Sequence, residues 1–231
     1  MTLTQIRTRF RLLVPEVNSG ILSDTNLNLF INDGALDVVR RTDCLWNVYD
    51  QDVVDGTRTY SPPSDSIKIL EVWYGGTGAW EKLPKVTMQF LAHEIDDEWM
   101  NNTGTICSYY EAEQNTIGLY RTPTSNEAGT SYLRIYYVEQ PDTLVNDSDT
   151  PFNNMTNLYP YHDLILLYAM YKAKQMMGKW EQAVAIENNY LAKCREMKVE
   201  LNKLDDFQQP IRAYYKGIGG ASIKQDPLSQ L

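Results

Sequence analysis

The sequence predicts an α+β chain: a helical bundle built from N- and C-terminal helices, an antiparallel β insert between them, and an extended C-terminal arm. Three observations carry this reading. Apolar residues recur at spacings of three and four near both ends of the chain. From about residue 52 to 140 the signals change to short alternating runs separated by turn residues. Beyond Leu204 no period remains. The expected divisions are 1–51 for the first helices, 52–140 for the insert, 141–206 for a linker and the last helices, and 207–231 for the arm.

The first helix opens on Thr2-Leu3-Thr4-Gln5, which matches a capping box. Leu3, Ile6, Phe10 and Leu13 form its apolar stripe, with Arg7, Arg9 and Arg11 off it. Pro15 stops it, because the residue before a proline is pushed out of helical geometry. Ser23 is the expected N-cap of a second helix. Leu27, Phe30, Ile31, Ala35, Val38 and Val39 make its stripe, and Arg40 and Arg41 sit at its negative end. Gly34 in its middle costs about 1 kcal/mol against alanine; close packing of a neighbouring helix and simple drift both account for it.

In the insert, Ile67 to Tyr74 alternates, Gly75-Gly76 supplies a turn, and Trp80 to Leu83 returns. Val86 to Ile95 reads as a short helix. Ile106–Glu113, Thr116–Arg121 and Tyr132–Glu139 read as three further strands in an antiparallel meander. Asp142 to Thr156 is a polar linker. Tyr161 to Met177 is a helix with apolar residues on more than one face, which implies burial on more than one side. After Gly178, Lys179 to Leu204 carries Ala183, Ile186, Tyr190, Cys194, Met197 and Leu201 on one seam.

The chain of 231 residues has 43% hydrophobic and 22% charged residues, ordinary for a globular protein. The longest apolar run, Leu164 to Tyr171, is far short of the roughly 20 residues of a bilayer span. The N-terminus does not read as a secretory leader. Cys44, Cys107 and Cys194 fit no disulfide framework or zinc spacing and suit a reducing compartment. Residues 51–150 carry six basic against sixteen acidic side chains and account for the net charge of −9; the flanking stretches, 1–50 and 151–231, come to −1 and +2. No segment is basic enough to grip nucleic acid.

No motif for chemistry survives inspection. His93-Glu94 with Asp96, Asp97 and Glu98 are too close in sequence to converge on one ion and read as a solvated acidic turn. Asn146-Asp147-Ser148-Asp149 starts like a calcium loop but has Phe152 and Leu158 where glycine and glutamate belong. His162 beside Asp163 reads as a helix-start residue rather than a base. Gly217-Ile218-Gly219-Gly220 has no strand before it and reads as a hinge. Cys107 and Cys194 read as packing residues. The expectation is therefore no catalytic residue, no metal and no cofactor. Sixteen tyrosines are the one compositional excess, which tilts the reading toward an interaction protein. A glycan-binding β module and a hydrolase with an unmarked pair of carboxylates stay open as other classes.

Four stretches resemble the head-to-tail adaptor proteins of short-tailed bacteriophages, of the tail-tubular-protein-A kind. Met1-Thr2-Leu3-Thr4-Gln5-Ile6-Arg7-Thr8-Arg9 is similar to that family's opening helix. Leu22-Ser23-Asp24 with Leu27, Phe30, Ile31 and Asn32 is similar to its second. Thr116-Ile117-Gly118-Leu119-Tyr120-Arg121-Thr122-Pro123 resembles the strand and turn that close its β region. Tyr161-His162-Asp163-Leu164-Ile165, with Ala169 and Tyr171, resembles the start of its long C-terminal helix. The resemblance covers residues 1 to about 204. It implies a virion protein that is no enzyme, assembled in the host cytoplasm as a ring of twelve beneath the portal. It also implies a tail nozzle below, tail fibres as further candidate partners, no membrane, and double-stranded DNA that passes through without specific binding.

The arm, Phe207 to Leu231, cannot fold alone, because Pro210, Gly217, Gly219, Gly220 and Pro227 break regular structure. Its spaced anchors Phe207, Ile211, Tyr214, Tyr215, Ile218 and Ile223 suit a segment that orders on a partner. The resemblance makes that partner the portal.

Overall fold

The computed structural model describes residues 1–16, 22–75, 79–95, 99–113 and 116–206. It is an α+β protein. The chain divides into two compact units. The first holds Met1–Tyr49, Pro63–Leu70 and the chain from Tyr136 through the last helix; the second holds Asp50–Pro62 and Glu71–Ile135. Three strands pass from one unit into the other, so the division falls inside them.

In the first unit, α1 (Leu3–Leu13) has the expected capping box: Gln5 N–H donates to Thr2 Oγ1 (3.3 Å) and Thr2 N–H to Gln5 Oε1 (2.9 Å). Leu3, Ile6 and Phe10 are fully buried. α2 (Asp24–Thr42) is capped by Ser23, whose hydroxyl accepts from Asn26 N–H (3.2 Å). It ends on Asp43 in the left-handed region (φ 57°). The Asp43 carboxylate takes Lys68 (2.9 Å) and Lys198 (3.1 Å), and these two lysines outweigh its burial and hold its pKa low.

The C-terminal helices follow two turns of 3₁₀ helix, Phe152–Asn154 and Thr156–Tyr161. The short insert helix Met88–Phe90 is α3, the helix His162–Met176 is α4 and the helix Trp180–Asp206 is α5. α4 buries residues around its whole girth, including Leu164, Ile165, Leu166, Tyr168, Ala169, Tyr171 and Ala173. It ends in a Schellman motif: Gly178 (φ 71°) donates to Gln175 O and Lys179 N–H to Lys174 O. A Cβ on Gly34 would lie 3.1 Å from Tyr168 Cβ and Cδ1, so the open question about that glycine is answered by close packing of α2 on α4.

The expected polar linker differs from the structure. Leu144, Phe152 and Leu158 within and just after it are buried in the helical core. Asn32 clamps it from α2, accepting from Leu144 N–H (2.8 Å) and donating to Leu144 O (3.2 Å). The linker also supplies acceptors to α1: Leu3 N–H donates to Asp149 O and Thr4 N–H to Asp147 O. Helix starts leave orphan N–H groups, and here a loop 140 residues away satisfies two of them.

The strands are β1 (Trp46–Val53), β2 (Thr59–Tyr60), β3 (Ser66–Tyr74), β4 (Glu81–Leu83), β5 (Ser108–Glu113), β6 (Thr116–Tyr120) and β7 (Gly129–Glu139). They form a four-stranded sheet in the order β1-β7-β3-β4 and a three-stranded sheet in the order β2-β6-β5. β3 and β4 pair antiparallel as expected, with Val72 opposite Leu83 and Tyr74 opposite Glu81. The three-strand meander is corrected. β5 and β6 form a hairpin, but β2 fills the far side of β6, with Thr59 opposite Gly118. β7 therefore has no free edge on β6 and enters the other sheet between β1 and β3. The expected insert helix is shorter than read: α3 runs into a π turn, Leu91–Ile95.

The second unit has its own apolar cluster of Leu91, Trp99, Tyr110 and Tyr120. The Trp99 and Tyr110 rings meet edge to face at 5.1 Å. Arg58 lies over Trp99 (5.5 Å) and donates to Thr122 Oγ1 from Nε (3.0 Å) and Nη2 (2.6 Å). Across the β5–β6 pair, the Tyr110 ring covers Gly118, where an added Cβ would sit 2.2 Å from Tyr110 Cζ. No side chain fits there without moving the ring. We expect Gly118→Ala to destabilise the protein by about 1–3 kcal/mol through overpacking, read as a fall in the urea midpoint. An unchanged midpoint would show that the ring relaxes freely.

Candidate interaction surface

The described residues contain no group of three or more metal-capable side chains, and no helix long and apolar enough to cross a membrane. His93 is exposed in the π turn after α3; Asp96, Asp97 and Glu98 lie outside the described residues. In the calcium-like stretch, the Asp149 carboxylate accepts from Asn146 N–H (2.7 Å) and Val145 N–H (2.8 Å), which depress its pKa. Asp147 is paired with Arg7. Those oxygens hold a loop together and dock it on α1.

The three arginines of α1 all find carboxylates. Besides Asp147, Arg7 lies 3.8 Å from Asp24; Arg9 meets Asp163 at 2.8 Å and Arg11 meets Asp24 at 3.0 Å. Glu16, just past α1, takes Lys174 and Lys179, and these hydrogen bonds pull its pKa down to about 2. Such pairs fix register between elements more than they add stability.

The cysteines are packing residues. Burial pushes the Cys44 thiol up to about 11 and raises Cys107 and Cys194, the reverse of what a nucleophile needs. The tyrosine excess is largely core: nine tyrosines among the described residues are buried. Tyr168, Tyr171 and Tyr190 stack together at 4.9–6.1 Å, and Tyr190 O–H donates to Asp37 (2.6 Å). That excess points to packing before it points to an interface.

His162 opens α4 and is fully buried against Phe152 and Tyr159. Its Nδ1 lies 2.6 Å from the Met1 amino nitrogen, and its buried Nε2 has no hydrogen-bond partner among the described residues. Burial, then the nearby ammonium, lower its pKa to about 4. This makes it a neutral packing residue that stores a pH dependence.

What sequence reasoning missed is β1. It is an edge of the four-stranded sheet and its first five residues are exposed on both faces. Trp46 is 52% exposed, Val48 38% and Tyr49 37%. The aromatic and β-branched content of Trp46-Asn47-Val48-Tyr49 was the available signal. The predicted arm anchors Phe207, Ile211, Tyr214, Tyr215, Ile218 and Ile223 lie outside the described residues.

A family model described as SU10 adaptor protein matches residues 1–214. The chain belongs to that family. It is a phage adaptor, a structural component of the virion. No curated protein matches it. The match spans both units, so the β-rich unit belongs to the adaptor along with the helices. Three residues of the stretches singled out in the sequence now have physical roles: Asn32 clamps the loop, Gly118 admits the Tyr110 ring, and His162 fills the core at the start of α4.

A pH prediction follows from His162. The folded pKa, about 4, is below the ordinary 6.5, so the unfolded chain binds the proton first as pH falls. Its contribution is intact above about pH 6.5 and is lost progressively down to pH 4. Between pH 7 and pH 5 the loss is about 2 kcal/mol. His162→Phe should flatten that part of the curve in urea titrations at the two pH values. Equal slopes in both proteins would place the dependence elsewhere.

Proposed function

We propose that twelve copies of this adaptor form a ring of the tail-tubular-protein-A kind, between the portal of a DNA-filled head and the tail nozzle. The ring extends the DNA channel, seals it and recruits tail components, with tail fibres among them. The observation that carries the reading is membership of the adaptor family over residues 1–214. The charge agrees with it. Twelve copies at −9 carry about −108 formal charges, and a like-charged conduit does not hold a genome that has to slide through it. In the helical unit Arg7, Arg9, Arg11, Arg41, Lys174 and Lys198 are bound to the unit's own carboxylates, which leaves these side chains little to grip phosphate.

The arm is the portal-docking element in this scheme, through Phe207, Ile211, Tyr214, Tyr215, Ile218 and Ile223. Ordering it costs about 1–2 kcal/mol per residue, which only a partner can offset. Deleting residues 207–231 should leave the melting temperature of the free subunit nearly unchanged and abolish ring formation on portals, scored by electron microscopy. Twelvefold rings of the full chain on purified portals are the expected positive result. Full occupancy by the truncated chain would remove the arm from the scheme, and the absence of rings with either chain would remove the ring.

A further inference from the structure

The side chains that pack on His162 come from α1 and from residues 142–161. Phe152 at 5.7 Å and Tyr159 at 5.2 Å lie in that loop, and the Met1 amino nitrogen, 2.6 Å from Nδ1, leads into α1. These two pieces are tied to each other. Leu3 N–H and Thr4 N–H donate to Asp149 O and Asp147 O, and the Asp147 carboxylate pairs with Arg7. At eleven residues α1 is too short to stand as a helix alone in water, so losing the loop weakens it directly.

Two unfavourable features meet at this place. Phe152, Asn153 and Asn154 are three successive left-handed residues, with φ of 57°, 52° and 60°. Asparagine visits that region more readily than most residues, and both asparagines are tied down. Asn153 Oδ1 accepts from Asp142 N–H (2.8 Å), and Asn154 Oδ1 accepts from Tyr159 O–H (2.6 Å) and Thr150 O–H (2.9 Å). A phenylalanine there is strained, and complete burial of its ring is what holds it. The ring beside it is His162, whose Nε2 is buried with no partner among the described residues, itself a cost. Backbone strain and an orphaned polar atom thus share one contact. The packing of α4 on α2 and α5, through Gly34, Tyr168 and Tyr190, lies further along the helix.

We propose that α1 and residues 142–161 form an acid-sensitive latch over the start of α4, which opens as one unit while α2, α4 and α5 stay packed. Opening this unit alone exposes the imidazole to solvent. The charges around the ring are accounted for. On α1 the Met1 ammonium opposes protonation, and Arg9 is paired with Asp163, the neighbour of His162 on α4 (2.8 Å). In the loop Asp147 is held by Arg7, and Asp149 by the Val145 and Asn146 amides. Asp24 of α2 takes Arg11 (3.0 Å), and Glu200 of α5 takes the Tyr161 hydroxyl (2.6 Å). The closed latch therefore keeps the ring neutral, with its pKa lowered to about 4, and the open latch returns it to the ordinary 6.5. The open form binds the proton first as pH falls, so acid favours opening. From pH 7 to pH 5 the open fraction rises about twentyfold.

The test is hydrogen exchange on the full chain at pH 7 and pH 5, with protection corrected for the intrinsic rate at each pH. The amides of Leu3, Thr4, Leu144 and Leu158 are all bonded within the latch or to its clamp. They should share one protection factor, lower than that of residues 166–173 in α4. The shared factor should fall about twentyfold between the two pH values. His162→Phe keeps an aromatic ring that cannot titrate, so its latch amides should be equally protected at both. If that variant does not fold, His162→Gln is neutral throughout and gives the same reading. Latch amides protected as strongly as α4 would mean that α1 and the loop open only with the whole unit. Different protection at Leu3 and Leu144 would mean that they are not one latch. A missing pH response in the parent chain, or one that persists without the histidine, would place the acid sensitivity elsewhere. Each of these overturns the proposal and leaves the adaptor reading intact.

Discussion

A helix that is apolar around its whole girth has to be covered on every side, and α4 is such a helix. The helical unit is arranged around that requirement. α2 covers one side so closely that a Cβ at position 34 would press on Tyr168 at 3.1 Å, α5 covers another with Tyr190, and α1 brings Leu3, Ile6 and Phe10 into the same core. Even the loop before α4 contributes Leu144, Phe152 and Leu158. None of these elements can bury its stripe alone, so the unit forms together or not at all.

The polar interactions follow from the same requirement. Because α1 must lie against α4, its arginines reach carboxylates on α2, on the loop and at the start of α4, and its orphan N–H groups meet loop carbonyls. These contacts set where α1 sits; the apolar burial supplies the stabilisation. The second unit solves a different problem with fewer residues. It stacks Arg58, Trp99 and Tyr110 and lets a tyrosine lie on a glycine across the hairpin.

The helices were legible in the sequence because their signals are local. Thr2 with Gln5, Ser23, Gly178 and the three-and-four spacings each act within a turn or two. Strand order was not legible. Nothing near Gly129–Glu139 says that β6 is already paired on both sides, since that depends on Thr59–Tyr60, some 60 residues upstream of β6. β1 was missed because both of its faces are exposed, which erases the alternation by which a half-buried strand is recognised. The buried loop residues were read as linker because Asn32, which holds them in place, is more than 100 residues away. The tyrosine count was legible, but its meaning was not: a count cannot tell a stacked core from an interface. The arm was noticed for its composition alone.

The distance between α2 and α4 along the chain has a consequence for synthesis. About 120 residues separate Thr42 from His162. A ribosome adding roughly 5–20 residues per second delivers α4 some 6–24 s after α2 has emerged. For that interval Leu27, Ile31, Val38 and the α1 stripe have no permanent partner, while the β-rich unit between them can already close its own hairpin. The nascent adaptor is thus most open to chaperones, and to the wrong neighbour on the same polysome, before its last 70 residues appear. Codons that slow the ribosome within the insert would lengthen this exposure and lower the yield of assembled protein, with no change in the finished chain.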